Sequence, residues 1–317
     1  MHVAKSPGHR PRRIVLTASV FLVIVIWAVN FIAAKIGLRH IPAALMASFR
    51  VILAGVAMLP MYLACSRMPA FAEAARARRH GFSRRDLWTF AYLGFFGVVV
   101  NQLCFTVGLR YTSVSHAAVI VGMGPIYTLI LAVLFRLEAA TANKVIGMAI
   151  ALLGVAVLAS ETGIARHSPS LLGDAITMTG SIGFAMYVVL GKRVAAKYDA
   201  LTMTAFNHFS GALIVLPVAM VAILMGALAH WREVPWQAWC ALLYMAIFSS
   251  AIAYVVYFWL LQYLEPSQLS AFTYLLPVLA TTLGILWLGE RGSITQVIGG
   301  LLALSGVYWV ESSRTSP

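Results

Sequence analysis

The sequence predicts an all-α polytopic membrane protein of ten transmembrane helices, arranged as two inverted five-helix repeats. Three observations carry this reading. The 317 residues are 61% hydrophobic and only 10% charged, whereas a soluble domain carries about 25% charged residues. Apolar runs of bilayer length, about 20 residues, recur along nearly the whole chain. The two halves also match each other. Pro125 and Glu138 are repeated 152 residues later as Pro277 and Glu290, and seven of the eleven residues of 145–155 are identical in 297–307.

The elements follow in order. Lys5, Arg10, Arg12 and Arg13 precede an apolar run from Ile14 to Ala34. That run exceeds the about 7–15 residues of a cleavable leader, so it is expected to be a retained span. The ten spans fall at 14–34, 43–63, 88–107, 114–135, 144–160, 171–191, 204–225, 237–261, 267–288 and 294–310. None shows the alternation of a barrel strand, and in lipid the remaining way to satisfy the backbone is a helix. Residues 14–160 form the first repeat and 171–310 the second, flanked by tails 1–13 and 311–317. In the first two spans of each repeat the offset is 157: Trp27-Ala28 aligns with Phe184-Ala185, Lys35 with Lys192, and Leu59-Pro60 with Leu216-Pro217. Five spans per repeat is an odd number, so the second repeat enters the membrane from the opposite side.

Charge sets the orientation. Sixteen Lys and Arg lie on the side of the N-terminus and six on the other, with Arg50 inside a span. The excess places both termini in the cytoplasm of a bacterial-type inner membrane. The net charge of +13 is therefore a topology signal, and no nucleic-acid partner is expected. Cys65, Cys104 and Cys240 form no paired motif, so neither disulfide framework nor metal site is expected. No cofactor is expected, and nucleotide-binding and hydrolase signatures are missing, so the chain does not read as an enzyme.

Function then rests on the polar groups inside the spans. These are costly in lipid and turn toward a cavity or a neighbouring helix. Arg50 lies too deep to reach water easily, and its planar fork suits a carboxylate or a phosphate. Trp27 and Asn30 sit one turn apart on span 1, Asn101 and Gln102 on span 3, and Tyr187 on span 6. Tyr254 and Tyr257 share a face of span 8, and Tyr274 precedes Pro277 on span 9. These nine residues are the candidate cavity wall. His116 and His208 titrate nearest neutral pH and are the candidates for proton coupling. Pro125 and Pro277 interrupt their helices and are the candidate hinges. Gly147, Gly154, Gly299 and Gly306 give spans 5 and 10 small-residue faces for close packing.

The motifs Trp27-Ala28-x-Asn30-Phe31, Phe49-Arg50 and Gly108-Leu109-Arg110-Tyr111-Thr112-Ser113, with the Pro125…Glu138 and Pro277…Leu288-Gly289-Glu290 segments, occur in order across residues 14–310. In this the chain resembles the EamA-like branch of the drug/metabolite transporter superfamily, with Ala28 where the pattern has Gly. The resemblance implies alternating access about a central cavity, lined mainly by spans 1, 3, 4, 6, 8 and 9. The expectation is a secondary transporter, exporting a small polar metabolite such as an amino acid, working as a monomer or homodimer in the lipid bilayer. The alternatives are an exchanger of phosphorylated or nucleotide-linked metabolites, a membrane-embedded enzyme, or a non-transporting sensor.

Overall fold

A computed structural model describes residues 11–66, 82–111, 120–161, 171–195, 197–276, 278–279 and 294–312. The described chain is helical throughout. The helices are α1 (Arg13–Gly37), α2 (Ala43–Cys65), α3 (Arg84–Tyr111), α4 (Ile120–Leu134), α5 (Ala142–Glu161), α6 (Leu171–Val194), α7 (Ala200–Leu224), α8 (Trp236–Leu261), α9 (Pro266–Ala271, tightening into a 3₁₀ turn at Phe272–Tyr274) and α10 (Ile294–Ser312).

Two starts differ from the sequence expectation, and both have a capping cause. Helix α3 begins at Arg84 rather than residue 88, because Ser83 and Asp86 form a reciprocal capping box that carries the helix through its charged first turn. Helix α7 begins at Ala200 rather than residue 204, because the Asp199 carboxylate accepts from the Thr202 N–H at 2.9 Å. Asn207 and His208 therefore lie deeper along α7 than hydropathy suggested, and both are fully buried.

The packing reproduces the duplication. Each of α2, α4 and α5 lies against its own counterpart, α7, α9 and α10, and the α1–α8 contact is matched by α3–α6. This is what a pseudo-two-fold axis in the membrane plane requires. At the α5–α10 crossing a Cβ on Gly154 would sit 2.3 Å from the Ala303 amide, and one on Gly306 would sit 2.3 Å from the Ala151 amide. The two backbones touch, which only the small-residue faces allow. Large apolar side chains such as Leu213, Leu224, Leu301 and Val297 point outward, the arrangement of a bundle solvated by lipid. Trp88 and Trp236, near the starts of α3 and α8, are exposed where aromatic residues anchor at the membrane surface.

The repeats also share an irregularity. Helix α3 widens into a π-helix over Phe95–Val100, and α8 does so over Met245–Ile252. At the 152-residue offset, 95–100 corresponds to 247–252. Such widenings concentrate at functional sites. Helix α4 is interrupted at Met123 and restarts at Gly124 with Pro125 in its first turn, where the missing N–H leaves no helical acceptor without its donor. Pro125 thus follows a break rather than kinking a continuous helix. The equivalent stretch of α9 is the 3₁₀ turn at Phe272–Tyr274; Pro277 lies outside the described residues.

Candidate substrate cavity

A cavity of about 110 Å³ opens between the repeats, room for several waters or part of a small solute. Helix α1 brings Trp27 and Asn30 to it, α2 brings Arg50, α3 brings Asn101 and Gln102, and α8 brings Tyr254. Phe31, Phe105 and Phe184 complete an aromatic lining, and Ser181, Thr128, Ser270 and Thr273 add hydroxyls from α6, α4 and α9. Trp27 and its repeat counterpart Phe184 meet edge to face, with ring centroids 5.6 Å apart.

Arg50 is the cation of this cavity and is only 4% exposed. Its Nε donates to Ser250 Oγ at 2.8 Å. The Ser250 hydroxyl lies 3.1 Å from Gln102 Oε1 and 2.9 Å from the Met245 carbonyl, sharing one proton between two acceptors. Among the described residues no carboxylate pairs with Arg50. Asn101 Nδ2 donates to the Gly180 carbonyl at 3.1 Å, which turns its Oδ1 toward the Tyr254 hydroxyl at 3.1 Å. Asn30 is 6% exposed, and among the described residues its Oδ1 has no donor. Among the described residues the wall therefore presents a cation with no counter-ion and a buried acceptor with no donor, in an otherwise aromatic setting.

Three predicted wall residues sit behind the wall rather than on it. Tyr187 packs its ring on Gly97, where a Cβ would approach to 2.3 Å, and lies 5.7 Å from Tyr254. Tyr257 supports Trp27 at 5.3 Å. Tyr274 is enclosed in the core between α4, α5 and α10. Polarity inside a span marked these residues, but the rings of Tyr254 and Trp27 stand between Tyr187 and Tyr257 and the cavity, and Tyr274 is packed into the core. His208 is also one layer back: its ring meets Tyr254 edge-on at 5.2 Å, and its Nδ1 lies 2.9 Å from the Thr204 carbonyl. His116 lies outside the described residues. Sequence reading missed Ser250, although Ser249-Ser250 is a polar pair in the middle of an apolar span, the signal used elsewhere. Ser270 and Thr273 were also missed, although their i, i+3 spacing puts them on one face.

On the face where α3 and α5 begin, polar ties cross between the repeats and, at Lys192, run within the second. The Lys144 ammonium reaches Glu138 at 2.7 Å and Glu265 at 2.6 Å. Glu138 in turn accepts from the Ser267 N–H at 3.0 Å and from its hydroxyl, so a carboxylate of the first repeat caps the first turn of α9 in the second. Lys192 donates to the carbonyls of Leu261 and Leu264 at 2.7 and 2.8 Å, holding the C-terminal end of α8. Asp86 accepts from Lys197 and from the Tyr198 hydroxyl. The hydrogen bond to Asp86 raises the Lys197 pKa above its ordinary value.

A helical bundle of bilayer length, duplicated about a largely aromatic cavity that holds a few polar groups and tied at one face, has the build of a multi-pass membrane transporter. Residues 15–160 and 171–312 each match the model of the EamA-like transporter family. The chain belongs to the EamA-like transporter family. It is 28% identical to an uncharacterised transporter of Archaeoglobus fulgidus, over 92% of this chain and 97% of that protein. It is 27% identical to a protein of Streptantibioticus cattleyicolor named "probable terminal-alkyne amino-acid exporter", over 92% and 91%. A crystal structure only 16% identical shares the fold with a TM-score of 0.69, covering 96% of this chain and 100% of that one.

Proposed function

We propose that this chain is a secondary active exporter of a small polar metabolite with a carboxylate, an amino acid being the class the cavity suits best. The observation that carries this reading is Arg50. A guanidinium in the membrane interior is expensive without a counter-ion, and no carboxylate partners it among the described residues. A carboxylate from the cargo supplies one through the geometry Arg binds best. The Oδ1 of Asn30, without a donor among the described residues, suits an ammonium, and the rings of Trp27, Phe184 and Tyr254 suit the cargo's apolar part. The relative named as an amino-acid exporter supports the same class.

Transport proceeds by alternating access, with the repeats rocking about the cavity. In the state described, the Glu138, Lys144, Glu265 and Ser267 cluster closes one face, the face that the Lys and Arg excess assigns to the cytoplasm. Opening there breaks these ties. Energy comes from the proton gradient or from exchange. Among the described residues His208 is the candidate proton carrier, one layer behind the cavity at Tyr254.

The test is flux into liposomes containing the purified protein, with labelled amino acids and other carboxylates, with and without a pH gradient. Arg50→Gln is expected to lower flux at least ~10-fold with the protein still folded. Undiminished flux removes Arg50 from the site. Flux indifferent to the gradient leaves exchange as the mode.

A further inference from the structure

The paired π-helices leave a consequence in the cavity wall. In a regular α-helix each carbonyl receives the N–H four residues on. In α3 the Asn101 N–H turns to the carbonyls of Phe96 and Val98 and passes over that of Gly97. In α8 the Ala253 N–H turns to the Phe248 carbonyl and passes over that of Ser249. Gly97 and Ser249 are equivalent positions at the 152-residue offset. Each repeat thus withdraws the α-helical donor from the same carbonyl, and a buried carbonyl needs a replacement.

Both carbonyls find one, in each case on an aromatic side chain of the cavity wall. The Tyr254 hydroxyl lies 3.0 Å from the Gly97 carbonyl and shares its one proton between that oxygen and Asn101 Oδ1 at 3.1 Å, and the Trp27 indole N–H donates to the Ser249 carbonyl at 3.2 Å. The donors themselves are not related by the repeat: Trp27 corresponds to Phe184, which has no donor, and Tyr254 corresponds to Gln102. The shared feature is the released carbonyl. Each half has met it with whichever ring of the wall reaches it.

We propose that Trp27 and Tyr254 are positioning residues that hold the two π-helices in their present bend. The rings lining the cavity thereby tie what occupies it to the shape of α3 and α8. A cargo that draws either ring toward itself takes the donor from a carbonyl in the middle of a spanning helix. That carbonyl then recovers a backbone donor only if the helix changes its winding. Because α8 also carries Ser250, which anchors Arg50, capture of a carboxylate by Arg50 and movement of the rings act on the same stretch of backbone. This role concerns the unloaded protein, so it stands or falls separately from the choice of an amino acid as cargo.

The experiment is amide hydrogen exchange on the full chain in nanodiscs, for the parent and for Tyr254→Phe and Trp27→Phe. Each variant keeps a ring and removes the donor. Tyr254→Phe is expected to speed exchange ~3–10-fold over residues 95–102 and to leave 245–253 within ~2-fold; Trp27→Phe is expected to do the reverse. The range corresponds to one hydrogen bond of ordinary net strength acting on local opening. If a phenylalanine variant does not fold, 3-benzothienylalanine at position 27 and p-aminophenylalanine at position 254 replace it. The first removes the N–H at constant shape and is expected to reproduce the effect. The second keeps a donor and is expected to restore the parent rate. Equal acceleration of both segments, or of neither, overturns the proposal.

Discussion

At the residue scale, two lysines on the same face show how burial decides the worth of a charge. The side chains of Lys144 and Glu138 are 6% and 1% exposed, whereas that of Lys197 is 58% exposed. Removing one partner of a buried pair leaves the other charge stranded and costs about 3–5 kcal/mol, while an exposed pair is worth about 0–1 kcal/mol. Lys144→Met is therefore expected to lower the thermal midpoint in detergent substantially, and Lys197→Met only slightly. Equal losses would contradict the burial argument. The elevated pKa of Lys197 means that its contribution is complete below the ordinary lysine value of about 10.4 and is lost only as pH rises through the higher folded value. The Asp86–Lys197 tie is thus expected to stay intact from neutral pH to pH 9.

At the element scale, glycines decide how closely helices approach. Adding a Cβ at Gly154 or Gly306 forces a backbone 2.3 Å away to move. Gly154→Ala and Gly306→Ala are each expected to cost about 1–3 kcal/mol. Because they load one interface, the double variant is expected to depart from the sum by at least about 0.5 kcal/mol, measurable by reversible unfolding in mild detergent. These helices were legible in the sequence because lipid leaves so few solutions: an apolar run near bilayer length is a helix, and repeated motifs at a fixed offset fix the pairing. The π-helices were not legible. Nothing in Phe95–Val100 or Met245–Ile252 distinguishes an i+5 bond from an i+4 bond, since the choice rests on side chains of other helices completing the broken ladder. The wall was legible in part for the same reason. Polarity inside a span marked Arg50 and Asn30, but only packing shows that Tyr187 and Tyr257 stand behind other rings.

At the scale of the whole molecule, the ties between Glu138, Lys144, Glu265 and Ser267 join the two repeats at one face, so their removal is expected to redistribute states as well as to lower stability. Glu138→Gln keeps the shape and deletes the charge. With Ser181→Cys as a cavity reporter, in a chain lacking Cys65, Cys104 and Cys240, the Glu138→Gln variant is expected to label at least ~5-fold faster with a membrane-impermeant maleimide supplied from that face. An unchanged rate would mean that the cluster does not hold the face shut.

The charge of Arg50, unpaired with a carboxylate among the described residues, also has an electrical meaning. Whichever aqueous compartment the cavity joins sets the voltage that Arg50 feels, and an elementary charge crossing the whole field exchanges about 2.3 kcal/mol per 100 mV. A cell interior held negative draws that charge toward the inside. For the outward carrier proposed above, that pull favours the inward-open form whenever the cavity is empty, readying each molecule for its next cargo.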